Sequence, residues 1–182
     1  QGDRQCAARS PDGAWDLLVG SSQTAAYVYA RASASGKRVQ ASGGAKNPIV
    51  VMPDANMDSY LSTMMNSFYG AAGQRCLANS LVLTVDSAHG MAREAVAEAA
   101  SRIRVGDGLE PGVDLGPVVS AQARDRIFSS ITRGVEEGAE PVLDGRTVSV
   151  PERPKGYFVG PTLLDNVRPE MRIYSEEIFG PV

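Results

Sequence analysis

Seven consecutive residues, Gly70-Ala71-Ala72-Gly73-Gln74-Arg75-Cys76, place a thiol directly after a glycine-rich turn. Two glycines let the backbone bend sharply and approach a ligand closely. Arg75 sets a fixed positive charge beside Cys76, which favours the thiolate. Backbone N–H groups in such a turn can also face a developing oxyanion. That is a setting for a nucleophile. It is equally a setting for a buried structural cysteine, because free cysteines are often buried, and local chemistry leaves both readings open. Cys6, in a polar N-terminal stretch with no such turn, is not expected to be the nucleophile.

The elements that would hold this turn follow from periodicity. Leu17–Val19 reads as a short apolar strand ending at Gly20. Ser21 or Ser22 then caps a helix to about Ser35, stopped by Gly36. Ile49–Met52 reads as a buried strand closed by Pro53. Asp58 is a candidate N-cap for a helix with Leu61, Met64, Met65 and Phe68 on one face, running out at Gly70. Leu81–Val85 is the clearest strand, and Ser87 starts a helix with Val96, Ala99, Ala100 and Ile103 inward. Ser120 caps a helix with Ile127, Ile131 and Val135 at four-residue spacing, ended by Gly138. Pro141–Leu143, Tyr157–Val159 and Thr162–Leu164 read as short extended pieces. Strand and helix alternate, which predicts α/β with a mainly parallel sheet flanked by helices.

Composition limits what the turn can belong to. The chain has 182 residues, 43% apolar and 21% charged, with a net charge of −3. That fits a globular core and does not invite nucleic acid or an anionic membrane. The basic residues are 15 Arg and 3 Lys. Two cysteines, no CxxC pair and one His make neither a zinc site nor a disulfide scaffold, so no metal is expected. Free thiols predict a reducing compartment, read here as cytoplasmic. No apolar run is long enough to span a membrane. Gln1 to Asp16 lacks the apolar stretch of a signal peptide.

Several strings together resemble the aldehyde dehydrogenase superfamily over about residues 17–182. Gly73-Gln74-Arg75-Cys76 is similar to its nucleophile motif, and Glu176-Glu177-Ile178-Phe179-Gly180-Pro181-Val182 to its second signature. Gly106-Asp107-Gly108-Leu109, Asp114-Leu115-Gly116-Pro117 and Gly156-Tyr157-Phe158-Val159-Gly160-Pro161-Thr162 match in order. Within the superfamily, Gly36-Lys37-Arg38-Val39-Gln40-Ala41, Gly44-Ala45-Lys46-Asn47, Val51-Met52-Pro53-Asp54-Ala55-Asn56 and Phe68 to Cys76 resemble the CoA-acylating methylmalonate-semialdehyde dehydrogenase branch.

The resemblance implies an aldehyde-dehydrogenase-like catalytic domain and a set of roles. Cys76 attacks the aldehyde, hydride passes to NAD, and the thioester is taken by CoA. Arg75 has a guanidinium that suits the substrate carboxylate; its other readings are a charge that tunes the thiol and a solvated loop charge. Gly20 and Ser21 lie near the cofactor's phosphates, where a glycine before a helix N-terminus suits anions. Glu177 holds a ribose, Phe179 walls the nicotinamide, and Glu176 is an exposed turn charge. Hydrolytic relatives carry a general-base Glu where this chain has Ser42, and a hydroxyl cannot do that work at neutral pH. Lys46 and Asn47 sit beside that position, either near the chemistry or paired in a turn.

A complete enzyme of this family is much longer. The resemblance therefore implies a fragment, with 1–43 a remnant of the cofactor-binding domain and 44–182 a catalytic domain incomplete at its C-terminus. The expected partners are a small aldehyde and CoA, with a homo-oligomeric parent. The competing readings are a degenerate, non-catalytic binding module and a hydrolytic aldehyde dehydrogenase forming a free acid.

Overall fold

The computed structural model describes residues 15–182, and Cys6 lies outside that range. The chain divides into two compact units between Ala45 and Lys46.

In the first unit, β1 (Trp15–Val19) pairs in parallel with β2 (Arg38–Ser42), from Trp15 opposite Arg38 to Val19 opposite Ser42. The crossover helix α1 (Ser22–Ala34) buries Ala25, Val28 and Ala32 on one stripe. Ser21 caps it by accepting from the Thr24 N–H. That satisfies one of the donors a helix start leaves open. Gly36, at φ +70°, ends it. The sequence reading had no strand at 38–42. The segment is polar and alternately exposed, so it lacks the apolar run that marks a buried strand.

The second unit begins with β3 (Asn47–Val51), which pairs in parallel with β4 (Asn79–Thr84). Between them runs α2 (Met57–Tyr69), which buries Met57, Met64, Phe68 and Tyr69. Its cap is Asn56, whose side chain accepts from the Ser59 N–H; Asp58 instead lies in the first turn. There a carboxylate still complements the helix dipole, which explains the two-residue error. Helix α3 (Ala88–Ser101) presents Ala88, Ala92, Val96 and Ala100 to the same core.

A second core forms around α4 (Ala121–Glu136), capped by Ser120 as its sequence predicts. Ile127 and Ile131 are fully buried there, beside Val118, Val159, Ile173 and Ile178. Each such side chain stabilises the fold by about 1.5–3 kcal/mol. Ala72, from the glycine-rich turn, belongs to this core.

Strands β5 (Glu140–Leu143) and β6 (Leu163–Asp165) pair antiparallel, against the parallel trend. The segment between them folds back on itself. Gly160 N–H donates to Gly145 O at 2.9 Å, and Gly145 N–H to Thr162 Oγ1 at 3.0 Å, returning Leu163 beside Leu143. Tyr157–Val159 is not a strand: Tyr157 O takes a single bond from Val118 N–H, and Pro161 lacks a donor. The short helix α5 (Arg172–Ser175) precedes the C-terminal stretch.

Candidate active site

The glycine-rich turn is conformationally unusual. Ala71, Ala72 and Gly73 all have positive φ, at 52°, 53° and 66°. Left-handed backbone costs a residue with a Cβ roughly 1–2 kcal/mol. Two alanines accept that cost here because the Ala72 methyl is buried in the second core. The strain bends the chain sharply after α2, and Arg75 and Cys76 emerge exposed. The reading of Cys76 as a buried structural cysteine therefore fails on burial.

Four links hold the turn. Arg75 folds back and its Nη2 donates to the carbonyls of Asn66 and Ser67 at the end of α2, the latter at 3.1 Å. A cation at a helix C-terminus meets the negative end of the dipole. Gln74 Oε1 accepts from the Val119 N–H at 3.0 Å. Ala78 N–H closes a turn onto Arg75 O at 3.1 Å. Asn47 Nδ2 donates to Cys76 O at 2.9 Å and to Ala78 O at 3.0 Å. Inside this frame the Cys76 N–H has no acceptor among the described residues.

The second signature lies against the turn. Gly73 has no room for a Cβ because the Gly180 carbonyl packs on it, and Ile127 fills the space beside Gly180. Phe179 has φ 55°, so this segment is also bent sharply. Arg126 Nη1 donates to Ile178 O. Glu177 is half-buried and faces Lys46 electrostatically. Burial lowers the Lys46 ammonium to about 8, with Glu177 opposing that shift. Glu176 is exposed and paired with Arg172 and Arg133, as a turn charge should be.

In the first unit, Gly20 N–H donates to Ser42 O at 3.0 Å, so Gly20 and position 42 are neighbours. Ser21 is committed as the α1 cap and also bonds Thr24 Oγ1 at 2.9 Å. Ser42 is exposed at the end of β2. The first turn of α1 carries no acidic residue, which leaves its N–H groups unopposed toward an anion.

Lys46, Tyr69, Leu81, Arg93, Asp165 and Ile178 help line a cavity of about 390 Å³, which Cys76 does not line. No group of three or more His, Cys, Asp or Glu among the described residues could hold a metal ion. No helix among them is long and apolar enough to cross a membrane. Sequence reasoning missed the double clamp by Asn47, the Gln74–Val119 bond and the seat of Gly180 on Gly73. Only the last had a local signal, in the pairing of two glycine-bearing motifs.

Residues 5–182 match the aldehyde dehydrogenase family. A probable acylating methylmalonate-semialdehyde/malonate-semialdehyde dehydrogenase, mitochondrial, from Drosophila pseudoobscura pseudoobscura is 50% identical over 91% of this chain and 32% of its own length. An acylating mitochondrial methylmalonate-semialdehyde dehydrogenase from Arabidopsis thaliana is 49% identical over 91% of this chain and 27% of its own. The chain thus spans about a third of the length of the curated relatives it matches. Among solved structures, methylmalonate-semialdehyde dehydrogenase from Oceanimonas doudoroffii superposes with a TM-score of 0.90 at 41% identity, over 96% of this chain and 36% of that one. Betaine aldehyde dehydrogenase from Staphylococcus aureus in complex with NAD+ gives 0.92 at 26% identity, over 97% and 35%. The cytoplasmic expectation is corrected by the relatives, whose names are mitochondrial. Free cysteines report a reducing environment and do not tell one reducing compartment from another.

Proposed function

Because this chain belongs to the aldehyde dehydrogenase family, we propose that it is the nucleophile-bearing part of an NAD-dependent, CoA-acylating enzyme for (methyl)malonate-semialdehyde-like aldehydes. The observation that carries the reading is an exposed thiol, Cys76, on a strained turn whose own N–H lacks an acceptor among the described residues. The Cys76 thiolate adds to the aldehyde carbon, and the oxygen that becomes charged is met by that N–H. The chemistry supplied by NAD when bound is two-electron oxidation at that carbon. The acyl group then rests on Cys76 as a thioester until the thiol of CoA displaces it.

Residue chemistry suits the cofactor. Glu177 can accept from two ribose hydroxyls, and Phe179 offers an aromatic face. Gly20 and Ser21, before the α1 N-terminus, suit a phosphate. Arg75 holds the substrate carboxylate through Nη1, which has no partner among the described residues, while Nη2 stays on α2. Coverage of a third of each relative supports reading the chain as part of a longer enzyme. Residues up to 43 would then belong to its cofactor domain and 44–182 to its catalytic domain.

The test is product analysis by mass spectrometry with the full enzyme, aldehyde and NAD, with and without CoA. An acyl-CoA formed only with CoA, and abolished by Cys76→Ala, is the expected result. Rapid formation of free acid without CoA would overturn the acylating assignment.

A further inference from the structure

Attack on a carbonyl needs more than a reactive thiol. The oxygen that becomes charged must meet a donor already in place, and the Cys76 backbone N–H is a donor with no acceptor among the described residues. We propose that Asn47 is a positioning residue for Cys76, holding the 75–78 turn so that the Cys76 N–H faces the oxyanion. The proposal rests on the thioester reading above.

The geometry is specific. Both acceptors of the Asn47 side chain are carbonyl oxygens, Cys76 O at 2.9 Å and Ala78 O at 3.0 Å, so only the NH2 end of the amide fits there. The two bonds grip the 76–77 and 78–79 peptides, on either side of the peptide that joins Leu77 to Ala78. The 78–79 peptide is also held by Asn79 N–H donating to Ser67 Oγ at 3.2 Å, but the 76–77 peptide has no other hydrogen bond among the described residues, and Cys76 is exposed and Leu77 88% exposed. Without the clamp, the turn keeps the 3.1 Å bond from Ala78 N–H to Arg75 O and its flanking links at Gln74, Arg75 and Asn79, but nothing holds the Cys76 carbonyl.

Asn47 is itself fixed. It opens β3, is half-buried, and lies opposite Asn79 across the parallel pair. The Asn79 side chain donates to Pro48 O at 3.2 Å and accepts from Ser67 Oγ at 2.8 Å. Asn47 therefore transmits the rigidity of the β3–β4 pair to an otherwise loose turn. Its amide touches backbone carbonyls only, so its effect passes through Cys76.

Two probes separate positioning from simple folding. p-Nitrophenyl acetate acetylates a thiol by carbonyl addition: a C–S bond forms, the ester C–O bond breaks, and nitrophenolate leaves. This requires the oxyanion donor. Iodoacetamide alkylates by direct displacement of iodide and does not. Both rates are read on the peptide carrying Cys76, in the 182-residue chain, for the unsubstituted protein, Asn47→Ser and Asn47→Asp. Asn47→Asp keeps the side-chain volume but removes both donors, and Asn47→Ser keeps one.

Acetylation by Asn47→Asp should fall about 10- to 100-fold relative to alkylation, with Asn47→Ser between. As pH falls and the introduced carboxyl protonates, it regains one donor. The acetylation-to-alkylation ratio should then climb back toward that of the unsubstituted chain. If the two rates fall together, or neither falls, Asn47 is only structural and the proposal is overturned. If Cys76 of the unsubstituted chain is acetylated no faster than Cys6, the thioester reading itself fails, and the proposal with it.

Discussion

A Cβ on Gly73 would lie 2.1 Å from the carbonyl oxygen of Gly180, and Gly73 sits at φ +66°. The nucleophile turn and the second signature, a hundred residues apart, thus share one contact that admits only glycine on the turn side. Gly73→Ala should combine left-handed strain of about 1–2 kcal/mol with overpacking of about 1–3 kcal/mol. Gly180→Ala meets instead the buried Ile127 side chain, with Cδ1 at 2.6 Å and Cγ1 at 2.7 Å, but without a left-handed backbone, so it carries overpacking alone. Urea unfolding of the chain should show Gly73→Ala as the more destabilised variant. Equal midpoints would mean that the contact is not rigid.

The Lys46 ammonium offers a pH test. Burial lowers it to about 8, against an ordinary value of 10.5, so above pH 8 the unfolded chain binds more protons than the folded one. Stability from this group therefore rises between pH 8 and about 10.5, and Lys46→Met should flatten that rise. After reductive methylation with 13C-formaldehyde, one of the three lysine signals should titrate near pH 8. Glu177→Gln should move that signal lower still, because Glu177 is what holds the charge on. A signal that moves up instead would contradict the pairing.

Asp165 ties α3 to β6. Burial pushes its carboxyl up, but hydrogen bonds from His89, the Asn166 N–H and Arg93 outweigh that and hold it below the usual range. A depressed carboxylate contributes stability above its unfolded pKa of about 3.9, and loses it as pH falls through the lower folded value. Asp165→Ala should cost about 1.5–3 kcal/mol at pH 7, because charged hydrogen bonds are lost. The gap from the parent should close in acid. Calorimetry at pH 7 and pH 3 gives the comparison, and a gap that stays constant would remove the ion pairs from the account.

What the sequence disclosed follows from range. The Ser21 and Ser120 caps, the α4 stripe and the Gly73-to-Cys76 turn are local patterns, each legible within a few residues. The Asn47 clamp joins residues 29 apart and uses backbone carbonyls, which carry no sequence signature. β2 escaped notice because only its parallel partner makes Arg38–Ser42 a strand. The antiparallel β5–β6 pair depends on the folded-back 145–162 segment, not on anything in either strand.

Ser42 carries the last prediction. It lies exposed at the end of β2, with its carbonyl accepting from Gly20 N–H, so its side chain can be enlarged without displacing a core group. A serine hydroxyl cannot take a proton from water at neutral pH, whereas a glutamate, with a pKa of about 4.3, can. In the full enzyme, Ser42→Glu should therefore raise the rate of free-acid formation without CoA. General-base assistance is worth about 10²–10⁴-fold where geometry allows. The measurement is steady-state NADH formation with and without CoA, for both proteins. The parent should depend on CoA and the variant much less so. Fast turnover of the parent without CoA would show that another base activates water, and position 42 would then not decide which nucleophile takes the acyl group.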